Sequence, residues 1–308
     1  MPRWVALGSA ILLVVLIGVT ALVGHRFRQW RGHIERRLEA GSLVVSTASG
    51  LVEYADIGAG VPVLMIHGTP GGYDQIVEMD RASGLSSPGL RIIVPSRPGY
   101  LRTPITSGRT PAEQARLYAD LLTNLGIAKA YILGASGGGP SALQFAILFP
   151  ERCSGLILEE AATRSIKVDR SVTPPIVVDF LIYLFKAKAI AAIQNKDPTD
   201  PVLARLGAVS LETLIPFGRR VEGLENDRVQ FAHMSGWPLS SIRSPTLILH
   251  GTLDKDVPIA DAEFAHDQIA GSEMVRLEGA DHGMVAVRYK ELNARIAAFI
   301  SHHQEAGT

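Results

Sequence analysis

The sequence predicts an α/β fold built on a mostly parallel sheet, and three features carry that reading. Strand-like runs recur at Val63–Ile66, Arg91–Val94, Ala130–Leu133, Ser154–Glu159, Thr246–His250 and Glu273–Leu277. They are rich in Ile, Leu and Val rather than alternating with polar residues, as strands covered on both faces are. A helix with a written start separates two of them, so that Arg91 to Leu133 reads strand, loop, helix, strand. Finally, Gly134-Ala-Ser136-Gly-Gly138 joins the run Ala130–Leu133 to an apolar helical stretch through a tight glycine turn.

The elements follow in chain order. From Trp4 to Gly24 the chain carries no charge and is dense in Leu, Val and Ile. About twenty such residues span a bilayer as a helix, so residues 1–25 are expected to form a transmembrane anchor, with residues 4–24 in lipid. The competing reading is a cleaved signal peptide with Val19-Thr-Ala21 as its small-residue site. Arg26, Arg28, Arg31, Arg36 and Arg37 follow the run, against only Arg3 before it. That excess places the downstream part on the cytoplasmic side and disfavours export; it also suits lipid headgroups. Residues 26–42 read as a basic juxtamembrane helix and linker. A fragment starting at residue 43 is therefore expected to be soluble and active.

Two β segments, Leu43–Ser46 and Leu51–Asp56, open a core expected over residues 43–163. Thr110-Pro-Ala-Glu113 is a capping box with Pro at the first helical position. Its helix repeats apolar residues at Tyr118, Leu121, Leu122 and Leu125 and stops at Gly126, which makes the stripe core. From about Thr163 to Ser244 the strand–helix alternation lapses. Thr173-Pro-Pro175 opens a long apolar stretch, Ile176–Ile193, in which Asp179, Lys186 and Lys188 argue against a second membrane span. A turn cluster, Asp197-Pro-Thr-Asp-Pro201, and a mixed helical region ending at Trp237-Pro238 follow. Residues 164–244 are thus an insertion, residues 245–301 the second part of the core, and residues 302–308 a tail.

Composition bounds the function. The 308 residues are 47% hydrophobic, enough for a large core. Lys+Arg and Asp+Glu both number 30, so no global basic field points to nucleic acid. The single cysteine, Cys153, excludes an internal disulfide and reads as a small buried hydrophobe. The nine histidines show no metal-ligand spacing, and neither a metal nor another cofactor is expected. There are no internal repeats, and nothing specifies an oligomeric state.

The chemistry-bearing residues sit at strand ends. Ser136 occupies the apex of the glycine turn, where larger neighbours would collide. Val63–Ile66 runs into His67-Gly-Thr-Pro-Gly-Gly72, and Arg91–Val94 into Ser96-Arg-Pro-Gly-Tyr100. Thr246–His250 ends in Gly251-Thr-Leu-Asp254-Lys-Asp256-Val-Pro258, and Glu273–Leu277 is followed by Gly279-Ala-Asp-His282-Gly283. A G-x-S-x-G elbow, an acid and a histidine in this order resemble the α/β-hydrolase superfamily, specifically its compact bacterial branch, over residues 43–301.

That resemblance implies an eight-stranded, mostly parallel sheet with helices on both faces and an α-helical cap at the insertion. It implies Ser136 as nucleophile, His282 as its base and Asp254 as the acid that orients the imidazole, with Asp256 the rival and Asp281 and Glu160 more distant. It places the oxyanion hole at the backbone N–H groups of Thr69 and Gly137. His67 and Arg97 are expected to hold loops, Arg97 through a carboxylate.

Relatives that open halides or epoxides carry Asp at the elbow, so the serine favours acyl transfer to water from a small-molecule ester, thioester or amide. Carbon–carbon hydrolases and cofactor-free perhydrolases use the same triad. The alternative of a different class is a non-catalytic, membrane-tethered binding protein.

Overall fold

The computed structural model describes residues 3–83, 89–168 and 173–305. Met1 and Pro2 of the expected anchor, 169–172 of the expected cap and 306–308 of the expected tail lie outside the described residues. Of the run Trp4–Gly24, the side chains are described at Ser9 and from Leu12 on.

The strands are β1 (Leu43–Ser46), β2 (Leu51–Gly58), β3 (Gly60–Ile66), β4 (Gly89–Pro95), β5 (Ala130–Ala135), β6 (Cys153–Glu159), β7 (Thr246–Gly251) and β8 (Glu273–Leu277). They form one sheet in the order β1-β2-β4-β3-β5-β6-β7-β8. β1 pairs antiparallel with β2 and β2 with β4; every later pairing is parallel. The helices are α1 (Arg3–Ala40), α2 (Tyr73–Ser83), α3 (Pro111–Asn124), α4 (Gly139–Leu148), α5 (Pro175–Gln194), α6 (Pro201–Glu212), α7 (Val221–Gln230), α8 (Ile259–Gln268), α9 (Met284–Val287) and α10 (Tyr289–Glu305).

Both faces of the sheet are covered, as the unbroken apolar strands require. Successive side chains of a strand point to opposite faces. Accordingly Leu64, Ile66, Ile93 and Ile132 pack under α3, α4 and α8. Val63, Met65, Ile92, Val94 and Leu133 pack under α2, α10 and the second half of α1. The capping box at α3 is formed: Glu113 N donates to Thr110 Oγ1 at 3.2 Å and Thr110 N to the Glu113 carboxylate at 2.8 Å. Gly126 closes that helix with φ +69°, a conformation glycine adopts without strain.

α1 is a single continuous helix. From Leu12 to Leu22 it exposes apolar residues on all sides, Val14 and Ile17 among them, whereas Ile34 and Leu38 are buried against the sheet. Residues 26–40 are thus the helical part of that juxtamembrane segment, and through Ile34 and Leu38 this half of α1 docks on the sheet. Arg31 meets Asp179 at 2.8 Å and Arg37 meets Glu212 at 3.0 Å. The arginine-rich sequence concealed this because the apolar contacts Phe27, Ile34 and Leu38 are spread between charges at helical spacing.

Between β6 and β7 the chain leaves the sheet to form α5, α6 and α7. Asp200 caps α6, accepting from Val202 N at 2.9 Å.

Candidate active site

The turn after β5 is shaped by what it must avoid. Ser136 has φ +48°, a left-handed conformation that costs a non-glycine residue energy and turns its side chain out of the sheet. A Cβ on Gly134 would lie 2.6 Å from Ala142 Cβ, and one on Gly138 would collide with the carbonyl of Ile66. These two glycines let the turn close between β3 and α4.

Around that serine the loops converge. Ser136 Oγ lies 3.0 Å from His282 Nε2, and His282 Nδ1 lies 2.7 Å from Asp254 Oδ2. The other Asp254 oxygen accepts from the backbone N–H groups of Asp256 and Val257, each at 2.9 Å. Burial favours the neutral form of Asp254. Bonds from His250, His282 and the Val257 N–H outweigh it and hold the carboxyl well below the usual carboxylate range. Of the rivals, Asp256 is exposed and contributes its main-chain N–H, and Asp281 accepts from Gly283 N at the start of α9.

Thr69 and Gly137 adjoin each other beside Ser136: a Cβ on Gly137 would strike the Thr69 side chain, and one on Gly68 would come within 3.1 Å of Ser136 Cβ. His67 is fully buried and accepts from Arg97 N at 2.9 Å, with its other nitrogen 2.7 Å from Gly68 O. Burial and the nearby Arg97 charge push its pKa well below the ordinary histidine value, so it is a neutral strut. Arg97 donates to Asp227 Oδ2 and to the Gly137 carbonyl. Asp227 also accepts from the hydroxyls of Thr69 and Tyr100. Arg97 does tie loops together, through a carboxylate on α7 that the sequence reading missed.

A cavity of about 280 Å³ opens over Ser136 and His282 and runs between α2, α6 and α10. Met65, Ile76, Leu206, Tyr289, Leu292 and Ile296 give it an apolar wall, and Glu159 and Glu160 lie at its base. Burial pushes Glu159 up to about 7. Burial, then Glu159, then Asp254 push Glu160 up to about 10. Glu160, with φ +49°, accepts from Met284 N at 3.3 Å. The donor atoms of Glu160, Asp254 and His282 lie within 4.8 Å of one another, closer than the sequence suggested for Glu160. A carboxyl held neutral at that position adds no charge against Asp254.

Residues 61–188 match the family model for the alpha/beta hydrolase fold. An α/β hydrolase fold protein from Nakamurella multipartita superposes with a TM-score of 0.74. It is 35% identical over 84% of this chain and 98% of its own. The chain belongs to the α/β hydrolase superfamily. An uncharacterized hydrolase, YcgS of Bacillus subtilis, is 29% identical to it over 81% of this chain and 93% of that protein. The 2-hydroxy-6-oxo-6-phenylhexa-2,4-dienoate hydrolase of Comamonas testosteroni is 29% identical over 68% of this hydrolase and 77% of its own length.

Proposed function

We propose that this hydrolase cleaves a carboxylic ester or thioester through an acyl-enzyme on Ser136. The observation that carries the reading is the line of contacts from Ser136 to His282 to Asp254, at 3.0 and 2.7 Å, opening into an apolar cavity. His282 takes the serine proton as Oγ attacks the acyl carbon, and Asp254 holds the imidazole with Nε2 toward the serine. The backbone N–H groups of Thr69 and Gly137 meet the oxygen that becomes negative; one such donor contributes about 3 to 4 kcal/mol. His282 then gives the proton to the leaving alcohol or thiol, and water repeats the sequence to release the acid. The lining of Met65, Ile76, Leu206, Leu292 and Ile296 favours an apolar acyl group. No step uses a cofactor.

The second reading is hydrolysis of a carbon–carbon bond with the same triad, supported by similarity to the Comamonas testosteroni enzyme. A panel of acyl esters of increasing chain length, acyl thioesters and a 2-hydroxy-6-oxo-dienoate separates the two. The proposal expects ester or thioester turnover that rises with chain length until the cavity is filled. Dienoate turnover alone favours the second reading. No turnover together with no labelling by a fluorophosphonate supports a binding protein instead.

The reading includes a membrane anchor. Among the described residues one helix, α1, is long and apolar enough to cross a bilayer; the relevant segment, Leu12–Ala40, has a mean hydropathy of 1.3 over its most apolar window, which is 6% buried. The arginines from Arg26 to Arg37 favour a cytoplasmic catalytic part. Resistance to alkaline carbonate extraction supports the anchor, and a mature N-terminus near Leu22 supports export.

A further inference from the structure

α5 is apolar nearly all round, a composition that a helix on a water-facing surface does not sustain. One side of it meets α1: Phe180 and Tyr183 pack on Phe27, Tyr183 on Trp30, and Asp179 pairs with Arg31. Lys186 Nζ lies 4.3 Å from the Trp30 ring centroid. The other side presents Ile176, Val177, Leu181, Leu184 and Phe185, from 41% to 60% exposed, with Lys188 among them. At 100° per residue Val177, Leu181, Leu184, Phe185 and Lys188 fall within about 100° of one another, opposite Asp179, Tyr183 and Lys186, with Ile176 and Phe180 at the border between the two sides.

The place of this face relative to α1 identifies what covers it. Contacts with α1 run from Asp179 to Lys186 on α5, about 10 Å of helix, but only from Phe27 to Arg31 on α1, about 6 Å. These contacts fall on a short stretch of α1. That stretch begins at Phe27, about 5 Å beyond the end of the uncharged run at Gly24. In a bilayer spanned by residues 4–24 that depth is the headgroup layer, which is some 5 to 7 Å thick on each side. Helices that lie in this layer sink their apolar face about 5 to 10 Å toward the acyl chains. Trp30 and Tyr183, with Lys186 against both rings, supply the aromatic and cationic groups that favour this depth. Lys188 has the length to carry its ammonium out to the headgroups.

We infer that the Ile176–Phe185 face of α5 lies in the headgroup layer of the bilayer that α1 spans, as a second membrane contact of the hydrolase. This rests on the anchor reading. Its consequence reaches the candidate site: α5 packs on α6, where Ile193 lies against Gly207, and Leu206 and Ser210 of α6 line the cavity over Ser136. The two helices thus hold one wall of the cavity against the membrane.

Cys153 is the only cysteine and is buried, so single introduced cysteines can be labelled with a nitroxide in the full-length protein. Leu181→Cys, Phe185→Cys, Leu16→Cys and Glu151→Cys variants are placed in vesicles of phosphatidylcholine and phosphatidylglycerol. Collision with oxygen, enriched in lipid, is compared with collision by a water-soluble nickel chelate. Oxygen-to-nickel ratios at 181 and 185 several-fold above that at 151, and approaching that at 16, support the inference. Lipid exposure at 16 with 181 and 185 as wet as 151 overturns it while leaving the anchor standing. Water exposure at 16 as well overturns both. Dipolar broadening between labels at 185 shows that a second copy covers the face and also overturns the inference.

Discussion

The guanidinium of Arg97, on the loop after β4, meets the carboxylate of Asp227, on α7, and each side chain is only 1% exposed. The same carboxylate accepts from Thr69, and the same guanidinium donates to the Gly137 carbonyl. One buried pair thus spans the insertion, the loop after β3 and the turn that carries Ser136. Taking two charges out of water is costly, and removing one partner leaves the other uncompensated.

Asp227→Ala is accordingly expected to destabilise the protein by about 3 to 5 kcal/mol in denaturant titration. A double replacement, Arg97→Met with Asp227→Leu, is expected to be less destabilised than that single variant, because no lone charge remains buried. Measurable stability loss in the double variant exceeding that of the single one would show that the pair itself, and not the orphaned charge, holds the loops.

Replacing the acid separates Asp254 from Asp256. Asp254→Asn is expected to lower kcat by about 10³ to 10⁴, because an amide donating to His282 Nδ1 favours the wrong tautomer. Asp256→Asn is expected to change kcat little, since the exposed residue serves through its main-chain N–H. Steady-state kinetics with the best ester of the panel checks both, and the reverse order of effects would assign the acid to Asp256.

Glu159 gives the stability a pH dependence of defined sign. Its folded pKa is raised from 4.5 to about 7 by burial, so the unfolded chain releases the proton first as pH rises. Stability contributed by the neutral carboxyl is complete below about pH 4.5 and declines up to about pH 7, by at most about 3 kcal/mol. Glu159→Gln is expected to flatten that decline and to be more stable than the parent at pH 8. Chemical denaturation at several pH values measures it; an unchanged slope in the variant would mean the carboxyl is already ionised in the folded protein.

Truncations test how α1 divides. Removing residues 1–24 is expected to release a folded, soluble protein that keeps Ile34 and Leu38 on the sheet and Phe27 against α5. Removing residues 1–42 strips those contacts, each buried aliphatic side chain contributing about 2 to 3 kcal/mol, and leaves Tyr73 and Val77 uncovered. The shorter fragment is expected to unfold at a clearly lower denaturant concentration, or to aggregate. Equal midpoints for the two fragments would show that residues 25–42 do not contribute to the core.

What was legible in the sequence was local. Unbroken apolar strands, the Thr110–Glu113 capping box and the glycines around Ser136 each encode their geometry in neighbouring residues. The strand-end positions of Asp254 and His282 were legible by the same logic, because a parallel sheet delivers its strand ends to one edge. Asp227 was not legible. It lies in a polar stretch, Leu224-Glu-Asn-Asp-Arg228, with the composition of an exposed helix, and only tertiary packing reveals that it is buried. The docking of residues 26–40 was hidden likewise, since arginines with paired partners look the same in sequence as solvated ones. Glu159 and Glu160 did carry a signal: two acids closing a buried apolar strand have no water to ionise in.

The central claim is that Ser136 is the nucleophile. It is tested most directly by treating the full-length protein with a fluorophosphonate and locating the adduct by peptide mass spectrometry, in the parent and in Ser136→Ala. A small residue still fits the turn, so Ser136→Ala is expected to unfold at the parent's denaturant midpoint. The account predicts a single adduct on Ser136 and, in the variant, neither adduct nor ester turnover. An adduct on another residue, or variant turnover within tenfold of the parent's, would contradict it.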